Sequence, residues 1–123
     1  MHRLSVIALV FLMITLFESG VAYGQARSAS TAEMRSLIKK IEATISMPQR
    51  ANNLTQYQRI YAFKKESGEE IVLGVFIRTA EKGSIQIVNE ESMPGAAFDA
   101  GCNVVYFKYI LREKRIALLS CSG

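Results

Sequence analysis

Hydrophobic positions at the start of the chain dominate an uncharged run, residues 4–17, between a short basic start and a tract of small residues. This order is typical of a cleavable secretory signal. The run has 14 residues, whereas a membrane-spanning helix needs about 20. We therefore predict that residues 1–26 are a cleavable signal peptide, cut before Gln25 or before Arg27, and that the product is periplasmic or secreted. The alternative is an uncleaved single-pass anchor.

After the predicted signal peptide, the apolar residues between positions 30 and 48 recur with the period of a helix. Ser30 and Glu33 have the Ser-x-x-Glu spacing of a capping box, and Pro48 should end the helix. Between them, apolar residues recur at steps of three and four: Met34, Leu37, Ile38, Ile41 and Ile45. Such a stripe predicts an amphipathic helix that packs on a sheet.

From residue 55 onward the pattern changes to short β-type runs separated by turn residues. The predicted strands are 55–65, 69–79, 84–89, 103–111 and 114–121. Ser67-Gly68 and Lys82-Gly83 are typical of tight hairpins, so the first three strands should form an antiparallel meander. We therefore predict one small α+β domain over residues 27–123, in which an N-terminal amphipathic helix packs on a four- to five-stranded antiparallel sheet.

The only cysteines in the chain are Cys102 and Cys121. An even pair in an exported domain most simply forms one disulfide. A hairpin that turns near residue 112 would bring the two positions opposite each other, and their spacing does not fit a Cys-x-x-Cys redox pair. We expect a structural bond that contributes about 3 kcal/mol by closing its loop.

The second and fourth strands are apolar at alternate positions on both faces of the predicted sheet. Val72, Phe76 and Tyr106 are the candidate partner-binding residues on the face that the helix does not cover. Because one helix cannot cover both faces, we expect a second copy, a protein partner or a small apolar ligand there. The alternative is that sheet twist and the 90–101 loop cover this face within the monomer.

The longest irregular stretch, residues 90–101, mixes small residues with Met93 and Phe98. Protein contacts favour methionine and aromatic side chains at their centre. We predict Met93, Phe98 and the adjacent Asp99 as further partner-binding residues. The alternative is that Phe98 packs at the sheet edge and positions Cys102.

The chain has 15 Lys and Arg against 11 Asp and Glu, a net charge of +4, and its basic residues are spread along the sequence. No motif combines basic and aromatic residues as nucleic-acid platforms do, so nucleic acid is not an expected partner. Basic residues are grouped around the last turn: Lys108, Arg112, Lys114 and Arg115. They are candidates for an anionic contact, with a solvated hairpin tip as the alternative.

Histidine occurs once, as His2 in the predicted signal peptide. Residues 27–123 therefore lack the imidazole of a Ser-His-Asp, Cys-His or zinc-histidine site. A carboxylate pair that acts on a glycan is the remaining option, drawn from Glu90, Glu91 and Asp99. Neighbouring side chains on a strand point to opposite faces, so Glu90 and Glu91 would not share a site. We expect no enzymatic activity, no cofactor and no metal.

One helix, an antiparallel sheet and a disulfide in the terminal hairpin together resemble the layout of cystatin-type protease inhibitors. Residues 70–74, Glu-Ile-Val-Leu-Gly, approximate the Gln-x-Val-x-Gly hairpin of that family. The segment departs from the family pattern at its first residue and lies inside a predicted strand, and Arg112-Glu113 replaces the family's Pro-Trp pair. The resemblance therefore implies a cystatin-like fold, and no activity follows from it.

These features predict a small exported binding protein that contacts a protein partner, or a second copy of itself as a homodimer, through an apolar sheet face and the 90–101 loop. The alternative functions are a protease-inhibitor-like or host-directed secreted factor and a carboxylate-based glycan-active enzyme. After cleavage, no stable membrane insertion is expected.

Overall fold

The computed structural model of the chain describes residues 31–96 and 99–123. The predicted signal peptide, Ser30 of the predicted capping box and Phe98 lie outside the described residues. The backbone divides into two compact units, with the boundary after Ile45. The first unit contains a helix, and the second contains a sheet.

The helix of the first unit, α1, covers residues 31–42. The predicted stripe is present, because Ile38 and Ile41 are buried. The helix ends earlier than predicted. The amide and the hydroxyl of Thr44 both donate to the carbonyl of Ile41, at 2.9 and 2.7 Å, and this tight turn replaces the next helical hydrogen bond.

The second unit is built on a five-stranded sheet. The strands are β1 Gln58–Glu66, β2 Glu69–Ile77, β3 Ile85–Ile87, β4 Val104–Ile110 and β5 Arg115–Cys121, and short 3-10 helices cover Leu54–Gln56, Glu90–Ser92 and Gly101–Asn103. The strand order is β3-β1-β2-β4-β5. Every strand overlaps its predicted counterpart, and the α+β class is confirmed.

The sheet is mixed, so the predictions of an antiparallel sheet and of a three-stranded meander are wrong at β3. This strand pairs with β1 in parallel, with Ile85 opposite Arg59. The turn residue Gly83 has a φ of +85°, as a hairpin glycine would, but the loop after β2 crosses the end of β1. The amide of Gly83 donates to the carbonyl of Tyr57 at 3.0 Å, and the amide of Arg59 donates to the carbonyl of Ser84 at 2.9 Å. These bonds place β3 beside β1, because β4 occupies the other edge of β2.

The remaining strand pairs are antiparallel, as predicted. β1 turns into β2 at Ser67 and Gly68, whose φ angles of 52° and 79° suit a two-residue hairpin with two left-handed positions. The β4–β5 pairing has a bulge between Lys108 and Tyr109. The extra residue on β5 is Ala117, and such a bulge increases the local twist.

Three aromatic rings from β1, β2 and β4 form a cluster at the centre of the sheet. The ring centroids of Tyr61, Phe76 and Phe107 lie 5.6, 5.7 and 6.1 Å apart, within the range of favourable aromatic pairs. Gly74 lies directly opposite both Tyr61 and Phe107. A β-carbon at Gly74 would lie 3.0 Å from Cδ2 of Phe107, so the glycine gives the rings their space.

Cys102 and Cys121 form the predicted disulfide, with Cα atoms 4.6 Å apart. Cys102 precedes β4 and Cys121 ends β5, so the bond closes the open end of this hairpin, and it is compatible with an oxidising compartment. Within residues 31–96 and 99–123, no helix has both the length and the apolar character that crossing a membrane requires.

Candidate functional site

The strand register determines which residues share a face of the sheet. One face, the aromatic face, includes Tyr61, Val72, Phe76, Val105, Phe107 and Tyr109, together with the buried Arg59. The other, the aliphatic face, includes Ile71, Leu73, Val75, Tyr106, Ile110 and Leu118, together with Lys108, which lies directly opposite Leu118. The predicted partner-binding residues are therefore divided, with Val72 and Phe76 on the aromatic face and Tyr106 on the aliphatic face.

Burial leaves the β5 end of the aliphatic face as the available contact surface, because Ile71 and Val75 on the same face are only 4% and 5% exposed. Val72 and Phe76 are 0% exposed, so neither side chain can contact a partner while the fold is intact. Tyr106 is half-buried, and Leu118 is 44% exposed, the exposed large hydrophobic residue of the described chain. Because Tyr106 pairs with Ser120, Leu118 is its diagonal neighbour across the two strands. Sequence reasoning identified Tyr106 and missed Leu118.

The 90–101 segment begins at one end of the sheet and finishes beside the last residues of the chain. At its start, the carboxylate of Glu90 lies 3.0 Å from Nζ of Lys64. Met93 is half-buried and Asp99 is exposed. The backbone of Asp99 lies 3.6 Å from where a β-carbon on Gly123 would stand, so Asp99 is close to the end of β5.

No described contact joins two of the candidate carboxylates Glu90, Glu91 and Asp99. The carboxylate of Glu90 instead forms an ion pair with the ammonium group of Lys64, and the hydrogen bond and charge of Glu90 raise the pKa of Lys64 above 10.5. Glu91 and Asp99 are exposed. Within the described residues, no group of three or more His, Cys, Asp or Glu side chains is placed to hold a metal ion.

Three of the four predicted anion-contact residues form ion pairs with acidic side chains. Lys108 lies 3.3 Å from Glu66, Arg112 lies 3.1 Å from Glu69, and Arg115 lies 3.2 Å from Glu113. Exposed pairs of this kind add little stability, but they reduce the positive charge that this region presents. Lys114 is exposed at the turn, with a φ of +50°.

Sequence reasoning also missed a polar cleft of about 610 Å³ at the end of the sheet where β2 finishes. Arg78 and Lys82 line it together with the side chains of Gln56 and Asn103. All four residues are exposed, so the cleft is an open depression. The amide of Arg78 donates to the carbonyl of Asn103 at 2.9 Å, next to the β2–β4 pairing. The unpredicted crossing of β1 brings the rest of the 78–84 loop to Gln56.

The segment that resembles the cystatin hairpin, residues 70–74, lies within β2 in the interior of the sheet. It pairs with β1 on one side and with β4 on the other. A segment with both edges paired cannot protrude into a protease cleft as a hairpin would.

Comparison with known proteins gives no relative. No family model matches the chain, no curated protein matches its sequence, and no solved structure matches its fold.

Proposed function

We propose that the chain is a small exported binding protein without enzymatic activity, and that it contacts a protein partner through the aliphatic face. The observation that carries the proposal is the exposure of Leu118 beside Tyr106. Protein contacts favour aromatic residues such as Tyr106 at their centre, and the exposed Leu118 adds apolar surface beside it.

The end of the 90–101 loop extends this contact surface. Asp99 lies beside Gly123, and the amide of Ser122 donates to the carbonyl of Gly101 at 3.0 Å. The loop end and the end of β5 are therefore held together, and a partner on β5 would reach Asp99. Met93 and Phe98 remain proposed contact residues from the sequence.

The packing of the amphipathic helix on the sheet stays a prediction from its apolar stripe.

Export is part of the proposal, and the disulfide supports it. The N-terminal sequence of the chain recovered from the exporting cell tests export and removal of the signal. We expect it to begin at Gln25 or Arg27, and a product that retains Met1 would contradict removal of the signal.

Affinity capture tests the binding function. The oxidised chain is immobilised and incubated with envelope or culture extract, beside the variants Leu118→Lys and Gln86→Lys. Both variants add one positive charge at an exposed strand position, on opposite edges of the sheet. We expect a captured protein that is lost with Leu118→Lys and kept with Gln86→Lys. Capture that is equal for all three chains would contradict the proposed surface.

A further inference from the structure

The outer edge of β5 presents backbone groups that no described strand pairs with. β5 is the last strand in the sheet order, with β4 on one side only. The amide of Ser122 donates to the carbonyl of Val104 at 2.9 Å. Because the direction of these groups alternates along an antiparallel strand, the amides and carbonyls of Leu119 and Cys121 point away from the sheet.

The side chains along this edge protect only its start. Natural sheets usually guard an edge with charged residues, proline or a bulge. The charged residue of β5 is Arg115 at its start, and no charged residue or proline follows from Ile116 to Ser122. The bulge at Ala117 lies next to Leu118. The uncharged stretch after Arg115, with its exposed leucine, is suited to receiving another strand.

The charges at the two ends of β5 are opposite in sign. Lys114 is exposed just before the strand, and Asp99 is exposed beside Gly123 just after it. A second β5 that runs antiparallel would bring Lys114 of each copy to the end that carries Asp99 of the other. A parallel neighbour would place like charges together. Charge complementarity therefore favours the antiparallel, two-fold arrangement.

We propose that β5 pairs with β5 of a second copy of this chain, antiparallel about a two-fold axis at Leu118. The inference rests on the proposed function, because it names the partner. Leu118 of one copy then lies directly opposite Leu118 of the other, at a position without mutual hydrogen bonds, where Cα atoms approach to about 4.5 Å. The sheet continues across the interface, and the two aliphatic faces join.

Sedimentation of the purified, oxidised chain over a range of concentrations measures this association. We expect a monomer–dimer equilibrium, which Leu118→Lys weakens by about tenfold or more because two like charges meet at the axis. The matched variant Gln86→Lys, on the edge formed by β3, is expected to dimerise as the unchanged chain does. A monomer at every concentration overturns the proposal.

Crosslinking tests the register. A Leu118→Cys variant is expected to form an intermolecular disulfide, because directly opposed residues meet the distance requirement of that bond. Ser120→Cys changes the next residue on the same face, and the two-fold axis at Leu118 places its two copies too far apart to bond. Equal crosslinking of both variants, or crosslinking of Ser120→Cys alone, overturns this register.

A charge exchange tests the direction of pairing. Lys114→Asp and Asp99→Lys are each expected to weaken the dimer, and the double variant is expected to restore it. Lys114 and Asp99 have similar φ angles, 50° and 58°, so each position already accepts the conformation that the exchanged residue must adopt. A double variant as weak as the single ones overturns the antiparallel arrangement.

The two proposals fail in different ways. If the purified chain stays monomeric but captures another protein through Leu118, the second copy is the wrong partner and the binding function stands. If it neither dimerises nor captures a protein, both proposals are overturned.

Discussion

The hydroxyl of Tyr57 donates a hydrogen bond of 2.6 Å to the backbone carbonyl of Cys102. The same hydroxyl accepts a bond from the amide of Asn52 at 3.2 Å, and the ring is fully buried. Tyr57 lies just before β1, and Cys102 lies just before β4. One buried side chain therefore connects the start of the sheet to the disulfide that closes its last hairpin.

Loss of this hydroxyl should destabilise the fold. Tyr57→Phe leaves the amide of Asn52 and the carbonyl of Cys102 without their partner, and the expected cost is about 1–3 kcal/mol in the free energy of unfolding. Denaturant titration measures it. Tyr109→Phe is the control, because its hydroxyl has no hydrogen bond within the described residues. Equal stability of the two variants would contradict the bridging role of Tyr57.

A side chain at Gly74 should disturb the ring cluster. The β-carbon of Gly74→Ala would lie 3.0 Å from the ring of Phe107, in a position where the backbone is paired on both sides. The expected loss is about 1–3 kcal/mol, typical of an overpacked core. Gly95→Ala is the matched control, since nothing lies within 4 Å of its added carbon. An unchanged thermal midpoint for Gly74→Ala would show that the ring cluster accommodates the added carbon without loss of stability.

The disulfide should contribute measurably to stability. Cys102 and Cys121 are separated by 19 positions, and a closed loop of about this length is worth about 3 kcal/mol. Calorimetry on the oxidised chain, the reduced chain and the double Ser variant should give a higher midpoint for the oxidised form alone. Identical midpoints would mean that the hydrogen bonds near Ser122 already hold this end of β5.

The ion pair between Lys64 and Glu90 should add stability that alkaline pH removes. The hydrogen bond and charge of Glu90 raise the pKa of Lys64 above 10.5 in the folded chain. The contribution is therefore fully present below 10.5 and is lost as pH rises through the raised pKa. NMR titration of the lysine side chain should show this shift, and Glu90→Gln should abolish it. A Lys64 pKa at or below 10.5 in the unchanged chain would contradict the pairing.

The strands were predictable because their signals are local. The change of period after residue 55 indicates strands, and Gly68 indicates a hairpin. The cysteine pair indicates a crosslink across the last hairpin. The position of β3 was not predictable in this way. A glycine such as Gly83 makes a turn equally well whether the next strand returns beside β2 or crosses to β1, and backbone bonds from Tyr57 and Arg59 decide between them.

The contact surface was only partly predictable for a related reason. Alternation within a strand separates its two faces, but the register between strands decides which faces coincide. Alternation alone groups Tyr106 with Val72 and Phe76, whereas the pairing of Phe76 with Val105 places Tyr106 on the other face. Exposure of Leu118 follows from the position of β5 at the sheet edge, which no local pattern indicates.

Amide hydrogen exchange at Leu119 tests most directly whether the edge of β5 is a contact surface. Its amide points outward, toward Ala117 of the second copy in the proposed register, while the amides of Leu118 and Ser120 belong to the ladder with β4. We expect fast exchange at Leu119 in dilute solution and slow exchange at concentrations where the dimer forms, with Leu118 and Ser120 protected throughout. Fast exchange at Leu119 at every concentration would contradict the proposed contact surface.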